Sequence, residues 1–185
     1  MSEIKKIKVP LTTEDVKDLK AGERVSISGV IYTARDAAHA KLLKALAAGE
    51  SLPLEIEGGV IYYVGPCPAK EGQVIGSCGP TTSYRMDPFA PTLITRGLKG
   101  MIGKGPRDQK VIKAMKDHSA VYFAAIGGAA AVIAASIKKA EVVAYPELGT
   151  EAVRRLEVED FPCIVAIDSE GNNLYESGVK EYKRV

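Results

Sequence analysis

The segment Gly79-Pro80-Thr81-Thr82-Ser83-Tyr84-Arg85-Met86-Asp87 sets three successive hydroxyls behind a Gly-Pro pair and follows them with an arginine. Read as the start of a helix, it offers N–H groups without intrahelical partners and the positive end of a helix dipole. Such a terminus receives anions. Thr81 or Thr82 can cap it, and Arg85, four positions after Thr81, shares its face. A hydroxyl and a guanidinium converging there suit a carboxylate or phosphate. The competing reading is an ordinary N-cap with a solvated arginine, since capping is the commonest use of Ser and Thr at a helix start.

Two more cations occupy controlled positions. Arg35 follows a strand and falls in the first turn of a helix, where the dipole disfavours positive charge and a compensating role is needed. Lys104 lies between Gly103 and Gly105 after a short strand, and α/β proteins place ligands at the C-terminal ends of strands. This glycine segment is not a phosphate loop: five residues separate Gly97 from Gly103, and Gly105 stands where Ser or Thr is required. Arg35, Arg85 and Lys104, each at a strand–helix junction, can meet on one rim of a sheet. Two arginines and a lysine suit a ligand with two carboxylates, because Arg grips a carboxylate with paired hydrogen bonds. Cys78 with His39 or His118 has no spacing that supports a nucleophile, and a buried structural cysteine is the simpler reading.

These residues need a scaffold of alternating strands and helices. Strands are expected at 4–9, 24–32, 60–64 and 73–75, and a helix at 34–48 closes at Gly49 and opens on a Thr33/Asp36 capping box. The helix after Thr81 is expected to break at Asp87-Pro88, restart there as N-cap and N1, and end at Arg96 before Gly97. A strand at 100–102 leads to the glycine segment, and Pro106 opens a helix with Val111, Ile112 and Met115 on its apolar side. Beyond it come a strand at 120–126, Gly127-Gly128, a small-residue helix at 129–138, strands at 141–144 and 161–167, a turn at 168–172 and a strand near Leu174-Tyr175.

The 185 residues, 46% hydrophobic, suffice for one core, which makes a single α/β domain over 1–185 the expectation. A net charge of +2 with no basic block, and 6% aromatics without Trp, exclude a base-stacking nucleic-acid surface. Residues 119–137 carry no charge, yet they are rich in Ala and Gly and divided by Gly127-Gly128, so they read as soluble core and not as a membrane span. The charged N-terminus lacks a signal-peptide run. Three cysteines without CxxC spacing point to a reduced, cytoplasmic setting, and with only two histidines the chain offers no self-contained metal site.

The segments Thr33-Ala34-Arg35-Asp36-Ala37-Ala38-His39, GPTTSYRMD from Gly79, and Gly103-Lys104-Gly105 resemble, in order and spacing, those of the iron–sulfur (class I) fumarate hydratases. More narrowly, the chain from about Ile7 to Tyr182 is similar to the separately encoded β subunit of a two-subunit fumarase, and to the L-tartrate dehydratase β subunit of the same family. The resemblance implies a swivelling β/β/α domain and a hydro-lyase that converts fumarate reversibly to L-malate. It also implies a hetero-oligomer whose 4Fe–4S cluster is held by cysteines of an α subunit, with no metal ligand in this chain. By motif position, Arg35, Arg85 and Lys104 would hold the substrate carboxylates and Thr81 would be the candidate catalytic base. Tartrate dehydration, or a non-catalytic dicarboxylate-binding or regulatory domain, are the alternatives.

Overall fold

The computed structural model describes residues 3–125 and 130–183. Its elements run β1 (Lys5–Lys8), α1 (Thr13–Lys17), β2 (Arg24–Thr33), α2 (Asp36–Ala47), β3 (Val60–Tyr62), α3 (Ala90–Thr95), β4 (Gly100–Gly103) and α4 (Gln109–His118). They continue with β5 (Val121–Ala125), α5 (Ala130–Ser136), β6 (Ile137–Ala144), β7 (Val153–Ile167) and α6 (Leu174–Tyr182). Turns of 3-10 helix lie at Ser83–Met86 and Pro146–Glu151.

Period-two alternation divides the core. On β3, Val60 and Tyr62 enter one apolar cluster with Val25, Ile27, Ile31 and Phe123, while Ile61 and the following Tyr63 enter a second with Met101. Val16 of α1 and Ile133 of α5 cover the first face; α2, α3 and α4 cover the second through Leu42, Leu93 and Met115. Helices on both faces are what a largely parallel sheet requires.

Strands β1 to β5 pair in parallel in chain order. The 15-residue β7 runs antiparallel to β2, β5 and β6, so the ladders β2–β3–β4–β5–β7–β2 form a closed circuit. The C-terminal ends of β2, β3 and β4 therefore lie side by side, and the functional candidates follow each of them.

Several local expectations are corrected. Thr33 does not cap α2: it remains in β2, its hydroxyl donating to the Ala152 carbonyl at 3.3 Å and accepting from the Arg154 N–H at 3.0 Å. Arg35 is the N-cap residue and makes no side-chain cap bond. Asp87-Pro88 does not start α3, whose N-cap is Phe89, because the Asp87 carboxylate is taken by Arg107 and Asp108; the helix does end before Gly97, at φ +105°. Asp108 caps α4 through the Val111 N–H at 2.8 Å, two residues beyond Pro106. Residues 73–75 form no strand, and Leu174-Tyr175 begin α6, opened by the Asn173 side chain on the Tyr175 N–H. Residues 126–129, including the Gly127-Gly128 divider, lie outside the described residues. Among the described residues no helix is long and apolar enough to cross a membrane.

Candidate functional site

The chain leaves β3, loops away, and returns between the ends of β3 and β4. Thr81 N–H donates to the Tyr63 carbonyl at 2.7 Å, Thr82 bridges in parallel to Lys104, and Ser83 N–H donates to the Lys104 carbonyl at 2.9 Å. Thr81 and Thr82 thus lie extended at the sheet edge. Only one 3-10 turn follows, and Thr82, its N-cap, makes no side-chain cap bond. The expected helix terminus is absent, so the helix-dipole argument for an anion lapses. What remains is the side chains themselves: half-buried Thr81 and Thr82 beside exposed Arg85 and Lys104.

Arg35, at the end of β2, joins this group through an acid. Asp36 accepts from Arg85 Nε at 2.9 Å and lies 4.0 Å from Arg35 Nε, so one carboxylate ties together two residues 50 positions apart in sequence. Glu151, from the turn before β7, lies 3.5 Å from Arg35 Nη2 and accepts the Ala37 N–H at 3.0 Å, holding the open end of α2. At Gly65, just past β3, an added Cβ would stand 2.6 Å from Arg35 Nη1; only glycine leaves that guanidinium its place. The structure thus brings Arg35, Arg85, Thr81 and the Lys104 turn to one rim. Asp36 engages only Nε of Arg85, leaving the paired Nη edge without a protein partner among the described residues. That edge can still grip a carboxylate with two parallel bonds.

Beneath the rim lies a buried polar layer that sequence reasoning missed. The Arg107 side chain is fully buried; its Nε donates to Asp87 Oδ1 at 2.6 Å and its guanidinium lies 5.3 Å and 5.1 Å from the Tyr63 and Tyr122 ring centroids. Burial opposes its charge, but Tyr63 and Asp87 outweigh that and raise its pKa. His39, wholly buried, keeps Nδ1 on the Arg35 carbonyl at 2.9 Å, and burial pushes its pKa down to about 4. It packs against Tyr63 and Phe89. Asp87 closes the GPTTSYRMD segment and Arg107 lies three residues after Lys104, but no periodicity or spacing marks them as partners. The same holds for Asp36, Glu151, Ser83 and Tyr122.

The cysteines do not join the site. Burial pushes the Cys78 thiol up to about 11 and raises that of Cys163, while Cys67 is exposed and none is paired. Protonated, buried thiols are poor metal ligands. Among the described residues no group of three His, Cys, Asp or Glu side chains could hold a metal ion. An iron–sulfur cluster therefore does not fit the described residues of this chain.

The family described as Fumarase C-terminus matches residues 1–178. The chain belongs to that family. It is 46% identical over 155 residues, 83% of its length, to "Fumarate hydratase class I, aerobic" of Salmonella typhimurium, and covers 27% of that protein. It is 41% identical over 164 residues to "Fumarate hydratase 2" of Leishmania major, covering 29% of it. The chain thus spans under a third of these fumarate hydratases. With "Putative L(+)-tartrate dehydratase subunit beta" of Methanocaldococcus jannaschii it shares 44% identity over 172 residues, 90% of its own length and 88% of the relative's.

Proposed function

We propose that this chain is the β subunit of a class I fumarate hydratase, forming one swivelling β/β/α domain that supplies half of a hydro-lyase site. The observation that carries this reading is the rim: in a member of the fumarase C-terminus family, Arg35, Arg85, Thr81 and the Lys104 turn stand together at the ends of β2, β3 and β4. The name of the M. jannaschii relative, a tartrate dehydratase β subunit, supports a partner α subunit, and the reading places the hetero-oligomer in the cytoplasm. The 4Fe–4S cluster belongs to that α subunit in this reading.

Arg35, Arg85 and Lys104 hold the two carboxylates of L-malate or fumarate. In the dehydrating direction, Thr81 as its alkoxide takes a proton from the carbon beside a carboxylate, and the C–H electron pair forms the double bond. The hydroxyl leaves as hydroxide in the α subunit's half of the site, and the proton taken by Thr81 is passed on to make it water. The products are fumarate and water. A threonine alcohol is a weak base at neutral pH, so this role depends on the adjacent cations stabilising the alkoxide and the developing negative charge. Uniform binding by three cations sets KM, whereas proton transfer sets kcat.

The decisive experiment assembles the purified chain with its α subunit anaerobically and assays fumarate, L-malate and tartrate isomers. Activity with fumarate and malate that requires both chains supports the proposal. Activity confined to tartrate would support the second reading, which the M. jannaschii relative's name favours. Dicarboxylate binding without turnover by the assembled pair would leave only a binding domain.

A further inference from the structure

We propose that Ser83 and Tyr122 are positioning residues that hold Lys104 against Thr81, an inference that rests on the hydro-lyase reading of this rim. Lys104 itself is exposed, and a lysine stem has little intrinsic rigidity. The placement of its ammonium group depends on how firmly its backbone is held.

That backbone is held at every polar atom of the Lys104-Gly105 turn. Lys104 N–H donates to Ser83 Oγ at 3.1 Å, and the Lys104 carbonyl accepts from Ser83 N–H at 2.9 Å. Gly105 N–H donates to the Tyr175 hydroxyl at 3.0 Å, and the Gly105 carbonyl accepts from the Tyr122 hydroxyl at 2.9 Å. Tyr122 Oη also lies 2.9 Å from Ser83 Oγ. Proton counting fixes the directions. A carbonyl can only accept, so the single Tyr122 hydrogen goes to Gly105. Ser83 then donates its own hydrogen to Tyr122 and accepts from Lys104. Burial raises the Tyr122 pKa and keeps that hydrogen in place. The reverse arrangement would strand both the Gly105 carbonyl and a buried hydroxyl hydrogen.

Sterics enforce the same closeness. A Cβ at Gly103 would collide with Ser83 Oγ, and Gly105 adopts φ +82°. Ser83 and Tyr122 are both fully buried, and the Tyr122 ring belongs to the second apolar cluster, but the hydrogen bonds of the two hydroxyls end on the Lys104-Gly105 turn. Nothing in the family resemblance assigns either residue a role.

Tyr122→Phe removes one hydroxyl and keeps the ring. In the α-complemented enzyme we expect KM for L-malate to rise about tenfold while kcat changes less than about threefold, the pattern of lost ground-state positioning. Ser83→Ala should do the same, Ser83→Thr should largely restore the wild-type KM, and the double variant should be little worse than either single one, because both interrupt one network. Amide exchange in the isolated chain gives a second readout: the Lys104 and Gly105 amides should exchange about tenfold faster in Tyr122→Phe, with Ile7 and Ile27 in β1 and β2 unchanged. Unchanged KM and unchanged local exchange overturn the proposal. Equally faster exchange at Ile7 and Ile27 in both Tyr122→Phe and Ser83→Ala also overturns it, showing a role in the core alone. Should either of those variants fail to fold, Tyr175→Phe, on the half-buried side of the turn, must give a smaller KM rise in the same direction or the proposal falls. An assembled wild-type enzyme without dicarboxylate activity would refute the hydro-lyase reading, and the exchange data would still decide the clamp.

Discussion

Acidification should destabilise this protein through His39, by an amount the structure allows to be worked out. His39 lies in α2 directly under Arg35, with Nδ1 on the Arg35 carbonyl, and must therefore donate from Nδ1 in its neutral form; Nε2 is buried without a partner. Protonating it would bury a second cation near Arg107. The folded-state pKa is lowered to about 4 from the ordinary 6.5 by burial, and further by the Arg107 charge, against opposing contributions from the Arg35 carbonyl and Asp36. Between those two values the unfolded chain takes a proton that the folded chain refuses, so stability falls as pH falls through 6.5 and levels near 4. The full shift corresponds to about 3 kcal/mol, of which about 2 kcal/mol is lost between pH 7 and pH 5. Urea unfolding at pH 7, 6 and 5 should show this loss in the wild type. His39→Leu, which gives up the Arg35 hydrogen bond, should be less stable at pH 7 but should lack that part of the pH dependence. Parallel pH profiles for the two proteins would refute the assignment, as would an NMR titration of the His39 ring with a midpoint above pH 6.

Three further outcomes are expected. Arg85→Lys keeps the charge but loses both the Asp36 tie through Nε and the paired Nη edge; KM should rise at least about tenfold while the unfolding free energy moves by less than about 0.5 kcal/mol, the side chain being 42% exposed. Thr81→Ala should lower kcat about a hundredfold or more with little change in KM, and because Thr81 caps no helix the unfolding midpoint should barely move; a normal kcat would remove Thr81 from the chemistry. Arg107→Leu should cost about 3–5 kcal/mol by leaving the Asp87 carboxylate buried and unpaired, measured by urea unfolding, with a loss below about 1 kcal/mol contradicting the buried-pair account.

Residue type and position along the chain made part of this site legible and hid the rest. Arg35, Arg85 and Lys104 stood out because each is a cation at a strand–helix junction, and parallel connectivity brings such junctions to one edge. The expected helix at Thr81 was wrong because the Thr81 and Ser83 N–H groups are spent on the Tyr63 and Lys104 carbonyls, and the expected restart at Asp87 was wrong for a similar reason. Asp87, which reads locally as an N-cap before Pro88, is spent on Arg107 and the Asp108 N–H, both 20 residues or more away in sequence. The Thr33 capping box fails in the same way, since the Thr33 hydroxyl is spent across the sheet on Ala152 and Arg154. Short polar side chains cap helices when no tertiary partner competes. β7 was foreseen only over its last seven residues, because 153–160 mixes charged and apolar residues and gains its strand character from pairing with β2 and β6.

The acids on the rim balance its cations. Two arginines and a lysine at one edge repel each other, and an exposed cluster of cations without counter-charge would spread into solvent. Asp36 and Glu151 answer that repulsion where they meet Arg35 and Arg85, Asp36 beside Nε of both and Glu151 at Nη2 of Arg35. Asp36 occupies Nε of Arg85, which leaves the outward edge to an incoming carboxylate. At Arg85, an acid on the Nη pair would compete with the proposed dicarboxylate; one on Nε leaves that pair free for it. Lysine has no second face on which to divide these two tasks. Lys104 is managed differently: its side chain has no acid partner among the described residues, and its control is placed in the backbone of a turn whose hydrogen bonds lead to Ser83 and Tyr122. The rim thus fixes two arginines through side-chain carboxylates and one lysine through its main chain, and each device suits the stiffness of the group it holds.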